Sequence, residues 1–216
     1  IDLHTGERRQ ATLFDLERLV TVTNNLENLK CSSMIVSPQD VIPELRALKA
    51  GACVLRNSVK HVIVNPETTE DLHCMVRLAS ALSGSLGELR KHPTITIAIS
   101  PTSPMQYSSD NARMIVETAK IGLPLSLIPS PMAGQTSPIT IAGTLAQENA
   151  EILAGILIAQ VSNPGAAVIY SPRGATIDVR TGNPVYRSLG SLVLSSAAMQ
   201  LARRYGFPSS GSLSLF

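Results

Sequence analysis

The feature that most restricts the fold of this chain is a repeated order of short apolar run, proline, helical pattern and glycine. Five apolar runs end near a proline, and they recur roughly 25 to 45 residues apart. The five junctions are Ser37-Pro38, Asn65-Pro66, Ser100-Pro101, Ile128-Pro129 and Ser171-Pro172. Apolar strands that alternate with helices predict a parallel sheet with helices outside it. We therefore expect an α/β fold of the (β/α)8 TIM-barrel type with five or six βα units, in a single domain over residues 1–216.

Helical periodicity and capping residues place six helices, and the apolar runs between them place the strands. The predicted helices cover residues 12–25, 40–48, 69–82, 109–120, 139–162 and 188–205. The predicted strands cover residues 33–36, 61–64, 94–99, 125–128 and 167–170, and a sixth begins at Phe207. Thr12, with Asp15 three residues later, predicts a capping box on the first helix. Gly51, Gly122 and Gly206 are expected to end the helices that precede them.

The composition argues against several kinds of partner. A net charge of +2 without a run of Lys or Arg, no Trp and 3% aromatic residues argue against nucleic-acid binding. No apolar run reaches the roughly 18 residues of a membrane span, so we expect no membrane partner. Three sparse cysteines predict no disulfide framework, a reducing cytoplasm and, by their spacing, no metal site. Ile1 and the terminal SSGSLSLF lead us to expect that both ends of the chain are cut.

Polar residues at the carboxyl ends of the predicted strands are the first candidates for contacts with a substrate. The active site of a parallel barrel lies at these ends, where Asn65 and Ser100 each precede a proline. The loop before the long helix contributes Gln135, Thr136 and Ser137, and a helix N-terminus favours an anion or a carboxylate. We predict all five as substrate-binding residues. Two structural explanations remain open, namely strand ends shaped by proline and helix capping by Thr136 or Ser137.

The long helix carries acidic residues close to its apolar stripe. When the stripe runs through Ile152 and Ile156, Asn149 falls on it. Glu148 then flanks the stripe, and Glu151 lies on the opposite side. We take Glu148 and Glu151 as candidate catalytic residues, and a satisfied structural hydrogen bond is the alternative explanation. At 1.5 Å per residue, Glu151 lies about 20 Å along the helix from Pro138, which predicts a position far from the strand ends.

A cluster of charged residues follows the last of the five predicted strands. Arg173, Asp178 and Arg180 lie within eight residues of each other in this loop. We predict that they bind a carboxylate or the surface of a partner protein. A solvated charged loop is the alternative interpretation.

Residues 134–208 carry a set of short motifs in a fixed order. They begin with Gly134, Ser-Pro-Ile-Thr-Ile-Ala-Gly at 137–143, Asn-Ala-Glu at 149–151 and Leu-Ala-Gly at 153–155. They continue with Gln160, Pro-Gly at 164–165, Val-Ile-Tyr at 168–170, Asp-Val-Arg-Thr-Gly at 178–182 and Leu-Ala-Arg-Arg-Tyr-Gly-Phe-Pro at 201–208. These segments resemble those of the trimethylamine methyltransferase (MttB-like) superfamily, and a looser likeness extends back to about residue 30.

The resemblance implies a (β/α)8 barrel that moves a methyl group from trimethylamine or a betaine-type quaternary amine to the cob(I)alamin of a separate corrinoid protein. Such reactions belong to methanogenesis. The resemblance also implies that this chain binds no cofactor itself, because the partner carries the cobalamin. A quaternary ammonium favours aromatic faces, so Tyr170, with Tyr107 and Tyr186, is a candidate for contact with the substrate.

Two other interpretations remain open. The chain could be a different (β/α)8 enzyme, whose loop from Gly134 to Ser137 binds an anionic small molecule. It could instead be a truncated, inactive barrel that persists by oligomerising, because open sheet edges pair readily with another chain. We expect a homo-oligomer.

Overall fold

The computed structural model describes residue 2 and residues 5–211, and it orders them into seven helices and eight strands. The chain divides into two compact units, Ile1–Ile97 and Ala98–Phe216. Strand β3, Ile95–Ile99, crosses the division. The expectation of a single domain over the whole chain stays a prediction.

The first unit alternates helices with parallel strands. Its elements are α1 (Leu13–Asn24), β1 (Cys31–Ser33), α2 (Pro43–Asn57), β2 (His61–Val64), α3 (Thr69–Leu82), α4 (Leu86–Lys91) and the start of β3. Strand β1 pairs with β2 in parallel, and β2 pairs in parallel with β3. The predicted capping box of α1 is confirmed, since the Thr12 hydroxyl accepts from the Asp15 N–H and the Asp15 carboxylate accepts from the Thr12 N–H.

The first predicted strand was placed too late in the chain. The strand is Cys31–Ser33, in register with His61–Ile63 of β2, and not residues 33–36. The apolar run from Met34 to Val36 suggested a buried strand, but Ile35 is 51% exposed. Hydrogen-bond register with β2 decides the strand, and this information is absent from the local sequence.

Gly51 does not end the second helix as expected. Helix α2 continues to Asn57, and Gly51 is buried inside it. A Cβ at this position would lie 2.9 Å from Cε of Met75 in α3. The missing side chain therefore allows α2 to pack closely on α3. By contrast, Gly122 and Gly206 do end helices in the left-handed conformation, as predicted.

The second unit contains the remaining elements. They are α5 (Ser109–Ile121), β4 (Leu125–Leu127), β5 (Met132–Ala133), α6 (Ile141–Ser162), β6 (Val168–Tyr170), β7 (Ala175–Ile177), β8 (Pro184–Val185) and α7 (Leu189–Tyr205). Strands β4 and β6 pair in parallel. Strands β5, β7 and β8 form a separate small sheet that the sequence did not predict. The sixth strand, expected from Phe207, appears as backbone pairing of Pro208 and Ser210 with Tyr170.

The α/β class with parallel strands is confirmed, but a closed (β/α)8 barrel is not. In the part of the chain that the structure describes, β1 pairs with β2 alone. A strand that pairs on one side only is an edge, and a closed barrel has none.

Candidate functional site

Helix α6 carries the candidate site because it extends beyond the strands it follows. Thr140 caps this helix by accepting from the Gly143 N–H, so neither Thr136 nor Ser137 is the cap. Its 22 residues span about 33 Å, whereas a three-residue strand spans about 10 Å. The helix passes the last residue of β4 at Gly155, where a Cβ would meet the Leu127 side chain at 2.9 Å.

The position of Glu151 differs from the one expected from its distance to Pro138. A helix that connects two parallel strands runs back against them, so residues before Gly155 lie beyond the carboxyl end of β4. Glu151 lies about 6 Å beyond Gly155 along the axis, and Glu148 about 10 Å. Both carboxyl groups therefore face loops that follow strand ends, and the expectation of a remote Glu151 was wrong.

The buried face of α6 also differs from the predicted stripe. It consists of Thr144, Glu148, Glu151, Ile152, Gly155, Ile156 and Ala159. Glu148 is fully buried and Glu151 is 1% exposed, so both glutamates point inward. Asn149, which was expected on the stripe, is only half-buried.

Glu151 is held by three donors. Its Oε2 accepts from the Ser103 hydroxyl at 2.8 Å, and its Oε1 accepts from the Met105 N–H at 2.9 Å. Its Oε1 also accepts from Nε2 of Gln147 at 2.8 Å. Because Ser103 and Met105 belong to the loop after β3, residues 100–107, Glu151 fixes this loop against α6.

Tyr107 adds a second contact between the 100–107 loop and α6. Its hydroxyl donates to the main-chain oxygen of Glu151 at 2.8 Å. Burial, followed by the nearby Glu151 charge, raises the pKa of the Tyr107 phenol. Met105 adopts φ of 56°, a left-handed conformation that is unusual for a residue with a side chain. The hydrogen bond from Met105 to Glu151 helps to hold the loop in this conformation.

Gln147 connects Glu151 to the predicted substrate-binding loop. Its Nε2 donates to the Thr136 carbonyl at 2.9 Å as well as to Glu151. The Thr136 hydroxyl accepts from the Met132 N–H, and the Ser137 hydroxyl bonds to that of Thr144. The Thr136 hydroxyl thus serves a contact within the loop and the Ser137 hydroxyl a contact with α6, whereas the Gln135 side chain is exposed.

Glu148 has a different set of partners from Glu151. Its Oε1 accepts from the N–H groups of Arg173 at 2.8 Å and Gly174 at 2.6 Å. Its Oε2 is buried and receives no hydrogen bond from any residue that the structure describes. A Cβ on Gly174 would lie 2.8 Å from Cδ2 of Leu194 and 3.0 Å from Oε1, so the missing side chain leaves room for the backbone to approach the carboxyl group.

Burial makes the Glu148 carboxyl group a weaker acid than an ordinary glutamate. It raises the pKa of Glu148 from 4.5 to about 7, against the opposing effect of the two backbone hydrogen bonds. The charge of Glu151 raises this pKa further, and that of Arg173 lowers it. The Glu148 carboxyl group therefore exchanges its proton near neutral pH, which suits either proton transfer or the binding of a cation.

The Tyr170 side chain lies beneath this cluster. Tyr170 is fully buried, and its hydroxyl donates to Oδ1 of Asn149 at 3.0 Å. Nδ2 of Asn149 donates in turn to the Tyr205 hydroxyl at 3.2 Å. Burial, followed by the charge of Glu148, raises the pKa of the Tyr170 phenol. Its hydroxyl proton is thus committed to Asn149.

Of the other predicted residues, only Arg173 has a hydrogen bond to one of the glutamates among the described residues. Arg173 joins the site through its N–H, and its Nη1 donates to the carbonyls of Pro172 and Ser210. Asp178 and Arg180 form a turn between β7 and β8, with their charged groups 3.7 Å apart. Ser100 is exposed and its carbonyl accepts from Asn111. Asn65 is exposed and belongs to the first unit.

Several residues of the site were not predicted from the sequence. Ser103, Met105, Gln147 and Gly174 all donate hydrogen bonds to the glutamates. The spacing of Gln147 and Glu151 by four residues on one helix was an available signal. Nothing local to Ser103, Met105 or Gly174 marks them as partners of a helix 25 to 50 residues away.

Neither a metal-binding cluster nor a membrane-spanning helix is present in the described residues. No three His, Cys, Asp or Glu side chains in residues 2 and 5–211 lie close enough together to hold a metal ion. Within the same residues, no helix combines the length and the apolar character needed to cross a membrane.

Fold and site together define an α/β protein with parallel strands and a buried pair of carboxyl groups beyond the strand ends. A family model described as trimethylamine methyltransferase (MTTB) matches residues 1–215. The chain therefore belongs to this family, and the resemblance seen in residues 134–208 is confirmed.

Curated relatives agree with the family match. A trimethylamine methyltransferase MttB of Desulfitobacterium hafniense (strain DSM 10664 / DCB-2) is 29% identical over 97% of this chain and 42% of its own length. A glycine betaine methyltransferase of D. hafniense (strain Y51) is 33% identical over 94% of this chain and 43% of its own. The trimethylamine methyltransferase MttB of Methanosarcina barkeri is 31% identical over 90% and 40%. The chain thus spans about two fifths of the length of these relatives.

Proposed function

We propose that this chain takes part in methyl transfer from a methylated amine, either trimethylamine or a betaine-type quaternary amine. Support comes from the family match and from relatives named for these two substrates. The structural observation that supports it most is the buried pair of carboxyl groups, Glu148 and Glu151, at the strand ends. Two carboxyl groups in a low-dielectric site favour a cation, and methylated amines are cations when protonated or quaternary.

The two glutamates have distinct parts in this proposal. Glu151, with three donors, fixes the 100–107 loop and contributes negative charge. Oε2 of Glu148 has no donor among the described residues, and in this proposal it is the atom that contacts the substrate. Binding and orientation of the methyl donor are what such a site supplies, because a strong nucleophile needs mainly correct placement.

The acceptor in the proposal is a corrinoid carried by a partner protein, as the family resemblance implies. Corrinoid chemistry supplies the nucleophile, and this chain contributes the surface against which the partner docks. The exposed turn with Asp178 and Arg180, and the neighbouring Arg173, are the proposed partner-binding residues. A cytoplasmic location and a homo-oligomeric state remain predictions.

A methyl-transfer assay tests the proposed function. The chain is mixed with cob(I)alamin and either trimethylamine or glycine betaine, and methylcobalamin is followed by absorbance. Circular dichroism on the same sample confirms that the chain is folded. The Methanosarcina barkeri relative serves as the positive control. We expect methylcobalamin with one of the two donors, and at least about a tenfold lower rate for Glu148→Gln. A folded chain that gives no methylcobalamin while the relative does would contradict the proposal and favour an inactive fragment.

A further inference from the structure

Oε2 of Glu148 is the polar atom of the site whose surroundings are least explained by the fold. Oε1 accepts two backbone N–H groups, whereas Oε2 is buried without a donor among the described residues. A buried acceptor that lacks a donor keeps its full desolvation cost. Such an atom in a functional site is commonly completed by a ligand, a proton or a water molecule.

Three hydroxyl donors near the two glutamates are committed to acceptors other than Oε2 of Glu148. The Tyr170 hydroxyl donates to Asn149, and the Tyr107 hydroxyl donates to the Glu151 carbonyl. The Ser103 hydroxyl donates to the Glu151 carboxylate. The carboxylate of a betaine would need such donors, and these three side chains do not offer them. The site is therefore better suited to a cation that brings its own N–H and carries no carboxylate.

Building on the proposed function, we propose that Oε2 of Glu148 accepts the N–H of a protonated tertiary amine. This contact makes the site select a trimethylammonium-type cation over a quaternary ammonium of equal charge. Trimethylammonium has one N–H, which gives a charge-assisted hydrogen bond to the carboxylate. Tetramethylammonium has the same charge and a similar size but no N–H, so it leaves Oε2 without a donor.

Burial of Glu148 sets a condition on binding. The N–H groups of Arg173 and Gly174 approach the carboxyl group at one oxygen, and the side chain has no exposed surface. A ligand reaches Oε2 only after a local displacement of the covering chain. The apparent affinity for the ligand is therefore lower than the intrinsic affinity, in proportion to the fraction of molecules in that open state.

The test is a comparison of two cations on the full 216-residue chain. Trimethylammonium and tetramethylammonium are titrated separately, with NMR detection of the bound fraction, between pH 6 and pH 8. The variants are Glu148→Gln, which keeps an acceptor at Oε1 and puts a donor in place of Oε2, and Glu70→Gln as the matched control. Glu70 is exposed on α3 in the first unit. The titration of the Glu148 carboxyl carbon is followed in the same samples.

We expect trimethylammonium to bind at least about tenfold more tightly than tetramethylammonium to the unmodified chain and to Glu70→Gln. Glu148→Gln should lose this preference. Because the cation competes with a proton for Oε2, its affinity should rise with pH up to about pH 7, and its binding should lower the pKa of Glu148. Equal affinities for the two cations, a preference that survives in Glu148→Gln, or no binding to a folded chain would each overturn the inference.

The binding test and the methyl-transfer assay fail independently. A chain that shows the cation preference but forms no methylcobalamin would contradict the proposed function and leave the Glu148 contact established. A chain that demethylates trimethylamine without the preference would support the function and exclude Glu148 as the selecting residue.

Discussion

Two loops of the second unit are held by two glutamates of the same helix, and they are held differently. The 100–107 loop meets Glu151, whose two oxygens receive three hydrogen bonds from Ser103, Met105 and Gln147. The segment 172–174 meets Glu148, which receives two hydrogen bonds on one oxygen and none on the other from the described residues. The residue type, the helix and the burial are shared, so the number of donors separates the two roles.

The difference teaches how to distinguish a structural carboxylate from a functional one. Two of the three donors to Glu151, the Ser103 hydroxyl and the Met105 N–H, belong to the 100–107 loop, so the loop conformation depends on them. Glu148 has fewer donors and a pKa raised to about 7 by burial. A carboxyl group that is buried, incompletely paired and able to exchange a proton near neutral pH is poorly explained by stability alone.

The largest expected effect is a loss of folding stability when the 100–107 loop loses its contacts with Glu151. Glu151→Ala should lower the free energy of unfolding by about 3–5 kcal/mol, because three donors lose their acceptor and a buried side chain is truncated. Urea denaturation followed by circular dichroism measures this loss. Glu151→Gln is the matched control, and we expect a loss of about 1–2 kcal/mol because one acceptor oxygen remains. A loss of less than about 1 kcal/mol in Glu151→Ala would remove the contrast between the two glutamates.

The next effect is the pH dependence caused by Glu148. The folded chain keeps a proton up to about pH 7, whereas the unfolded chain releases it near pH 4.5, the ordinary value. The contribution of Glu148 to stability is therefore fully present below about pH 4.5 and is lost as the pH rises through 7. By pH 8 this loss amounts to roughly 3 kcal/mol.

Glu148→Gln isolates this pH effect, because its side chain does not titrate. The free energy of unfolding of the unmodified chain minus that of the variant should fall by roughly 3 kcal/mol between pH 4.5 and pH 8. Urea denaturation of both proteins at several pH values gives the difference. Parallel stability curves for the two proteins would show that Glu148 keeps an ordinary pKa in the folded chain.

The smallest expected effect is the loss of stability when Tyr107, which makes the second contact between the 100–107 loop and α6, loses its hydroxyl. Tyr107→Phe removes the hydrogen bond to the Glu151 carbonyl and should cost about 1 kcal/mol. The Met105 amide should also exchange its hydrogen faster, whereas the Gly174 amide should not change. Tyr186→Phe, at an exposed tyrosine, is the control and should change stability by less than about 0.5 kcal/mol. Faster exchange at both amides would mean that the two loops open together.

Much of the secondary structure was readable from local signals. Thr12 and Asp15 form the predicted capping box, and Gly122 and Gly206 end helices as expected. These predictions succeeded because a cap or a left-handed glycine acts within four residues of itself. Gly51 and the strand at 31–33 were misjudged because neighbours from other elements determine them. The small sheet of β5, β7 and β8 was missed because its strands have two or three residues each.

The candidate site was only partly readable. Glu148 and Glu151 were singled out as polar residues in an apolar helix. They were expected beside the apolar stripe and opposite it, whereas both lie on the buried side together with Ile152 and Ile156. Their role as active residues remains a prediction. The backbone donors of Met105 and Gly174 had no signal in the sequence, because a backbone N–H is present at almost every residue.

The sequence by itself determined the family, the α/β class and the helices that carry their own caps, since these depend on motifs and on periodicity within one segment. Only the tertiary structure decided that Glu151 is fully paired and Glu148 is not. That distinction depends on which backbone N–H groups are brought to each carboxyl group by strands β3 and β6, far apart in the chain. Desolvation raises the pKa of Glu148, because two hydrogen bonds to one of its oxygens do not offset its burial.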